Sequence, residues 1–343
     1  MSRVDWPLAV SVATRFAGNY PLAGTYHETR LRREAPDLVA RAAELVAVET
    51  GLTGPGQPDV AVVSRRDWVE TNVAAFNRLL APAEEELGKY DGIGASMAGR
   101  VMGAELGAVL GFLSKRVLGQ YELVLPTPEG EFGDTVMFVG ANLLQMERQH
   151  QFRPAEFRFW VALHECTHRL QFVGVPWMRG YFLSLVEELV ATAKPEPGRM
   201  SRVSGDLREA AAAGKPLIDD TGVFGLFASP AQREVLDRVQ ALMSLLEGHG
   251  HVIMDRIGAR ELLTQRRMSD VMKARRKDAR TATLLKLIGM EMKLKQYELG
   301  ESFILQVERE AGFSALDRAW QGPESLPTLA EIDDPATWLA RVA

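Results

Sequence analysis

The stretch WVALHECTHRLQF, residues 160–172, constrains this chain more than any other. His164 and His168 stand four apart, with Glu165 directly after the first histidine. On an α-helix four residues make slightly more than one turn, so both imidazoles leave the same face. Trp160, Leu163, Cys166 and Leu170 surround them and give the same helix an apolar surface to bury. Pro154 suits the first turn of such a helix and Glu156 the positive end of its dipole. Gly174 and Pro176 supply its stop. The spacing predicts a core helix over about 154–172 with two histidines aimed at one point.

Two imidazoles so arranged can bind one zinc ion, Zn2+. Glu165 then lies beside the open coordination position. Its carboxylate can take a proton from a polarised water and pass it to a leaving amine. A catalytic zinc needs a third protein ligand. The longer motif with a further glycine and histidine is absent, because Gln171 and Gly174 stand at those places. Two carboxylates remain. Glu188 follows twenty residues after His168, with Glu187 beside it, and Glu247 lies in LLEGHGHVIMD. Glu247, His251 and Asp255 share a helix face at four-residue intervals. That pattern resembles the second helix of glutamate-type zincins, in which the first residue binds metal. The residue one turn on orients a ligand or meets the reacting oxygen. Glu187 and Glu188 have only Ala191 and Thr192 one turn on. The pattern favours Glu247 as ligand and His251 as a catalytic partner, with Glu188 or His251 itself as alternative third ligands. His249 points to the opposite side of the helix and reads as structural or solvent-exposed.

The rest of the chain reads as mainly α with a small sheet. Helices are expected at 7–17, 32–50, 65–81 and 177–193. Gly99, Gly103, Gly107 and Gly111 recur every four residues and form a groove that favours an internal helix contact over a partner chain. YELVLP (121–126) and TVMFVGANLL (135–144), joined by turn residues, predict a hairpin just before the histidine helix. The second run is the candidate edge strand for an extended substrate, with Asn142 as a backbone contact or a turn former. Residues 194–229 look loop-rich, a lid or side excursion. Ser229, Pro230 and Gln232 form a strong helix start, and that helix extends to about Ile257. Helices over 259–276 and 280–312 follow, then an extended strap ending in a short helix. Tyr297 is a candidate oxyanion partner, with a core tyrosine the favoured reading. One domain over 1–343 is expected, with a helical N-terminal region (1–118), a catalytic core (119–312) and the strap (313–343).

Composition excludes several classes of function. The net charge of −5 gives no general attraction to nucleic acid or anionic lipid. The basic stretch 260–280 reads as a solvated helix face. A single cysteine permits no intrachain disulfide, which fits a reducing, cytoplasmic setting. No membrane-spanning run or signal peptide is expected. The oligomeric state is left open.

Six stretches, taken in order, carry a resemblance: VDWPLA, SRRDWVETN, HECTHRLQF, LLEGHGHVIMD, KLKQYELGESF and GPESLPTLAEIDDPATWLAR. They resemble a zincin-like family of actinobacteria and chloroflexi described as hydrolases associated with coenzyme F420 biosynthesis. The resemblance spans almost the whole chain. It implies a mainly helical zincin-type metallopeptidase fold, with His164 and His168 as ligands and Glu165 as base. The expected activity is hydrolysis of a peptide or protein substrate. The alternative is a catalytically silent zincin-fold protein that binds or assembles partners in the F420-associated pathway.

Overall fold

The structure, a computed structural model, describes residues 4–87, 93–125, 133–192, 230–276 and 291–343. It is mainly α with one three-stranded sheet. In chain order the elements are α1 (Trp6–Ala17), α2 (Tyr26–Thr50), β1 (Asp59–Val63), α3 (Arg65–Leu87), α4 (Ile93–Leu113), β2 (Gly119–Glu122), β3 (Thr135–Val139), α5 (Gly140–His150), α6 (Pro154–Val173), α7 (Met178–Ala191), α8 (Pro230–Glu261), α9 (Gln265–Arg276), α10 (Glu291–Ala311), two 3-10 turns (Phe313–Trp320 and Pro323–Ser325), α11 (Leu329–Asp333) and α12 (Pro335–Arg341). By internal contacts the chain forms two compact units: 1–179 with 253–268, and 180–252 with 269–343. Among the described residues no helix is long and apolar enough to cross a membrane.

In the first unit, α1 starts on Asp5, whose side chain accepts from Leu8 N–H at 3.0 Å. The glycine stripe lies against this helix. A Cβ at Gly107 would stand 2.5 Å from Ala9 O, and one at Gly111 2.8 Å from Ala13 O. The stripe is therefore an internal helix contact, made without side chains on the α4 side.

The sheet has the order β1-β3-β2. β1 runs parallel to β3, and β2 runs antiparallel to it. The structure corrects two expectations. The second strand ends at Val139, and residues 140–150 turn at once into α5. β3 is also the central strand, so its backbone is paired on both sides and cannot receive a substrate strand. Asn142 is a buried fastener rather than a substrate contact. Its amide donates to Ser114 O at 2.8 Å and Val117 O at 2.6 Å, and it accepts from Arg65 Nε at 2.7 Å. β1 goes beyond the expected hairpin. It extends the sheet from residues directly after the Gly- and Pro-rich break.

α6 crosses this sheet and is buried on nearly every side, from Phe157 through Phe172. Its buried cations have forked partners. Arg158 donates to both Glu147 oxygens, at 2.7 and 2.9 Å. Arg169 donates to both Asp134 oxygens, at 2.7 and 2.8 Å, and to Pro55 O at 2.7 Å. Glu156, in the first turn of α6, accepts from Thr264 N–H at 2.8 Å and Thr264 Oγ1 at 2.7 Å. Cys166 is fully buried, as expected, with its Sγ 3.6 Å from Val39 O. Burial pushes its thiol pKa far up, which keeps it neutral.

In the second unit, α8 and α10 cross at Gly248 and Gly300. A Cβ on either glycine would run into backbone: Gly300 itself on one side, Ser244 O on the other. The expected strap folds into short helices instead of staying extended. Prolines at their first turns permit this, and Thr328 with Glu331 forms a capping box for α11. Trp338 is fully buried, stacks edge-on against Phe303 and donates to Ser325 O at 2.9 Å. His249 is buried too, with its ring 5.1 Å from Trp320 and 6.4 Å from Phe313, so it is a structural residue. The candidate lid 194–229 and the N-cap Ser229 lie outside the described residues, as does the side chain of Tyr297.

Candidate metal centre

Pro154 at the first position starts α6, and the backbone N–H of Gly174 caps it on Leu170 O. This register brings the two histidines together. His164 Nε2 and His168 Nε2 stand 3.2 Å apart, with the rings edge to face. The other nitrogen of His168, Nδ1, is 2.9 Å from Gln171 Oε1. An amide oxygen can only accept, so the proton sits on Nδ1 and the Nε2 lone pair faces His164. Gln171 is fully buried and orients the ring as the partner of a metal-bound histidine would. In the sequence Gln171 registers only as a missing glycine. Its position three residues after the histidine is the available signal.

Glu165 is buried at 5% exposure. Its side chain lies along β2: a Cβ at Gly119 would stand 2.7 Å from Glu165 Oε1 and 2.8 Å from its Cγ. Nothing near Gly119 in the sequence announces this neighbour, because the contact joins a strand to a helix more than forty positions on.

Glu247 lies on α8 at 5% exposure. α8 is one uninterrupted helix whose last turns are well anchored. Arg256 Nε is 3.2 Å from Glu49 Oε1, Arg260 pairs with the same carboxylate, and Gly258 sits close to Trp160. Among the described residues, His164, His168 and Glu247 form the one group with the donors for a metal ion. One ligand atom from each lies within 4.8 Å of the others. Two imidazole nitrogens and one carboxylate oxygen are a fitting donor set for a catalytic zinc.

The other candidates are placed elsewhere. Glu188 pairs with Arg238 at a half-exposed position. His251 is buried, with Nε2 3.5 Å from Glu301 Oε2, and does not join the donor group. Asp255 accepts from Gln265 Nε2 at 2.7 Å. In the basic stretch, Arg267 donates to His150 O at 2.7 Å, and Lys273 lies 3.4 Å from Glu301.

A mainly α fold with a small sheet beneath a histidine-bearing helix is the architecture of a zincin-like protein. The chain belongs to the zincin-like metallopeptidase family, whose model matches residues 4–339. It is also similar to a Chloroflexus aurantiacus protein of known crystal structure, proposed to be a hydrolase with a novel fold. The two are 30% identical, the likeness covers 98% of each chain, and the TM-score is 0.73. No curated protein matches the sequence. Neither match names coenzyme F420.

Proposed function

We propose that this protein is a zinc-dependent hydrolase that cuts peptide bonds, with His164, His168 and Glu247 as metal ligands and Glu165 as general base. The observation that carries the reading is the donor group itself: two imidazoles and a buried carboxylate with ligand atoms within 4.8 Å of one another. Membership of a metallopeptidase family supports the reaction class. Zinc, when bound, supplies a Lewis acid that polarises water and the scissile carbonyl. Glu165 takes the proton from the attacking water and delivers it to the leaving amine. His251, one turn beyond Glu247 on α8, is assigned to stabilise charge at the reacting oxygen.

β2 replaces β3 as the strand that receives substrate. Among the described residues it has a strand neighbour on one side only. Val139 N–H donates to Leu118 O at 2.9 Å, which fixes the alternation. Residues 118, 120 and 122 face β3, and the backbone groups of Gly119 and Tyr121 turn to the outer edge. An extended peptide pairing there would run beside Glu165. The reading treats the chain as one functional domain, which the family match over 4–339 supports, and places it in the cytoplasm, where a lone buried thiol is at home.

Zinc analysis and cleavage of a peptide library test this reading. Wild type is expected to hold one equivalent of zinc and to cleave, while Glu165→Gln holds zinc and does not. Glu247→Ala is expected to lose zinc and Glu188→Ala to keep it. Equal cleavage by wild type and Glu165→Gln would sink the assigned base. Zinc binding with no cleavage by either protein would favour the silent, binding alternative.

A further inference from the structure

We propose that Gly119 is a positioning residue for Glu165: the missing side chain on β2 is the space in which the carboxylate lies. The inference rests on the reading of Glu165 as base and extends it to a residue on another element.

The backbone does not require glycine at this position. Gly119 is absent from the glycines with positive φ, which are Gly18, Gly24, Gly51, Gly56 and Gly312. It lies in regular antiparallel register opposite Phe138, where glycine is a poor choice for strand stability. Side-chain direction supplies the reason. Successive residues of a strand point to opposite faces. Gln120 faces α3, where its Oε1 accepts from Trp68 Nε1 at 2.6 Å. Tyr121 points the other way, towards α6, and its ring stacks on Phe172 at 6.3 Å. Gly119 shares the Tyr121 face and meets Glu165 there. A Cβ at position 119 would lie 2.7 Å from Oε1, 2.8 Å from Cγ and 2.9 Å from Cδ of Glu165. Real side chains do not tolerate such distances, so something must move. Strand and helix are both held by their hydrogen bonds, and the Glu165 side chain is what can rotate. Adding one methyl group at 119 therefore displaces the carboxylate, while His164 and His168, on another face of α6, keep their places.

The test is a double-mutant cycle read by thermal unfolding of the metal-free protein, using wild type, Gly119→Ala, Glu165→Ala and the double variant. In the Glu165→Ala background alanine at 119 meets no carboxylate and is expected to raise Tm. In wild type the same change is expected to lower it, so the two shifts differ by about 2–4 °C. Equal shifts in the two backgrounds would overturn the contact. A second arm reads zinc content and peptide cleavage of Gly119→Ala. The expected result is full zinc content, unchanged KM and a kcat reduced about 100-fold or more. Loss of zinc, or a change in KM alone, would overturn the positioning role. The thermal cycle needs no activity, so it separates failure of this inference from failure of the peptidase reading, which Glu165→Gln tests alone.

Discussion

α6 and α8 carry the proposed ligands, and the two helices are secured in opposite ways. α6 is fixed by side chains: Arg158 and Arg169 are sunk in the core and each is held by a forked carboxylate. Around Glu247, α8 is fixed by the lack of them: Gly248, next to Glu247, lets the backbone of α10 come into direct contact at Gly300, and the charged pairs of Arg256 and Arg260 lie further along the helix. A charged clamp tolerates small shifts but fails when one partner is removed. A backbone crossing has no charge to lose but admits no added atom. The two helices should therefore respond to different kinds of substitution.

The largest effect is expected at the α6 clamp. Asp134→Ala leaves the Arg169 guanidinium, 2% exposed, with the Pro55 and Gly56 carbonyls as its hydrogen-bond acceptors among the described residues. Unfolding stability should fall by about 3 kcal/mol in chemical denaturation, and a loss under about 1 kcal/mol would mean the clamp is dispensable. Next comes the crossing. Gly300→Ala adds a methyl group against Ser244 O and the Gly248 backbone, and should cost about 2 kcal/mol while lowering zinc occupancy, because Glu247 adjoins the contact. Retained stability with retained zinc would show that α8 can shift without disturbing its carboxylate. The smallest effect sharpens the α6 side. Gln171→Ala removes the acceptor that fixes the His168 tautomer and should weaken zinc binding by about 10–100-fold in competition titration, with a loss of folding stability of about 1 kcal/mol from the unsatisfied buried N–H. Unaltered affinity would reduce Gln171 to packing.

The same contrast explains what can be read from the sequence. The histidine helix is legible because its meaning is local: four-residue spacing, a first-turn proline and a terminal glycine all act within one element. The helix that carries Glu247, His251 and Asp255 at four-residue intervals is legible through a similarly local pattern. β3 reads too long because Ala141, Leu143 and Leu144 continue the apolar run of the strand, and a buried helix and a buried strand show no distinct period over so few residues. β1 escapes notice because DVAVV is short and follows a break rich in glycine and proline. The strap reads as extended because its prolines look like helix breakers, whereas at a first turn they start helices. Gly119 is invisible for a different reason. Its identity is dictated by a side chain that only the tertiary fold brings near, and an absent side chain leaves no pattern to detect.

The parallel pairing of β1 with β3 has a consequence for how the chain assembles. The two strands are neighbours in the sheet, but residues 64–134 separate them in sequence. β3 can find its place only after that excursion has returned, at the entropic cost of closing a long loop. β2 pairs with β3 as well, so the sheet on which α6 rests stays incomplete until then. The local helices α1 to α3 can form early during synthesis, and the seat of the histidine helix forms late. In a newly made chain the two imidazoles of α6 should thus reach their seat on the completed sheet only near the end of folding.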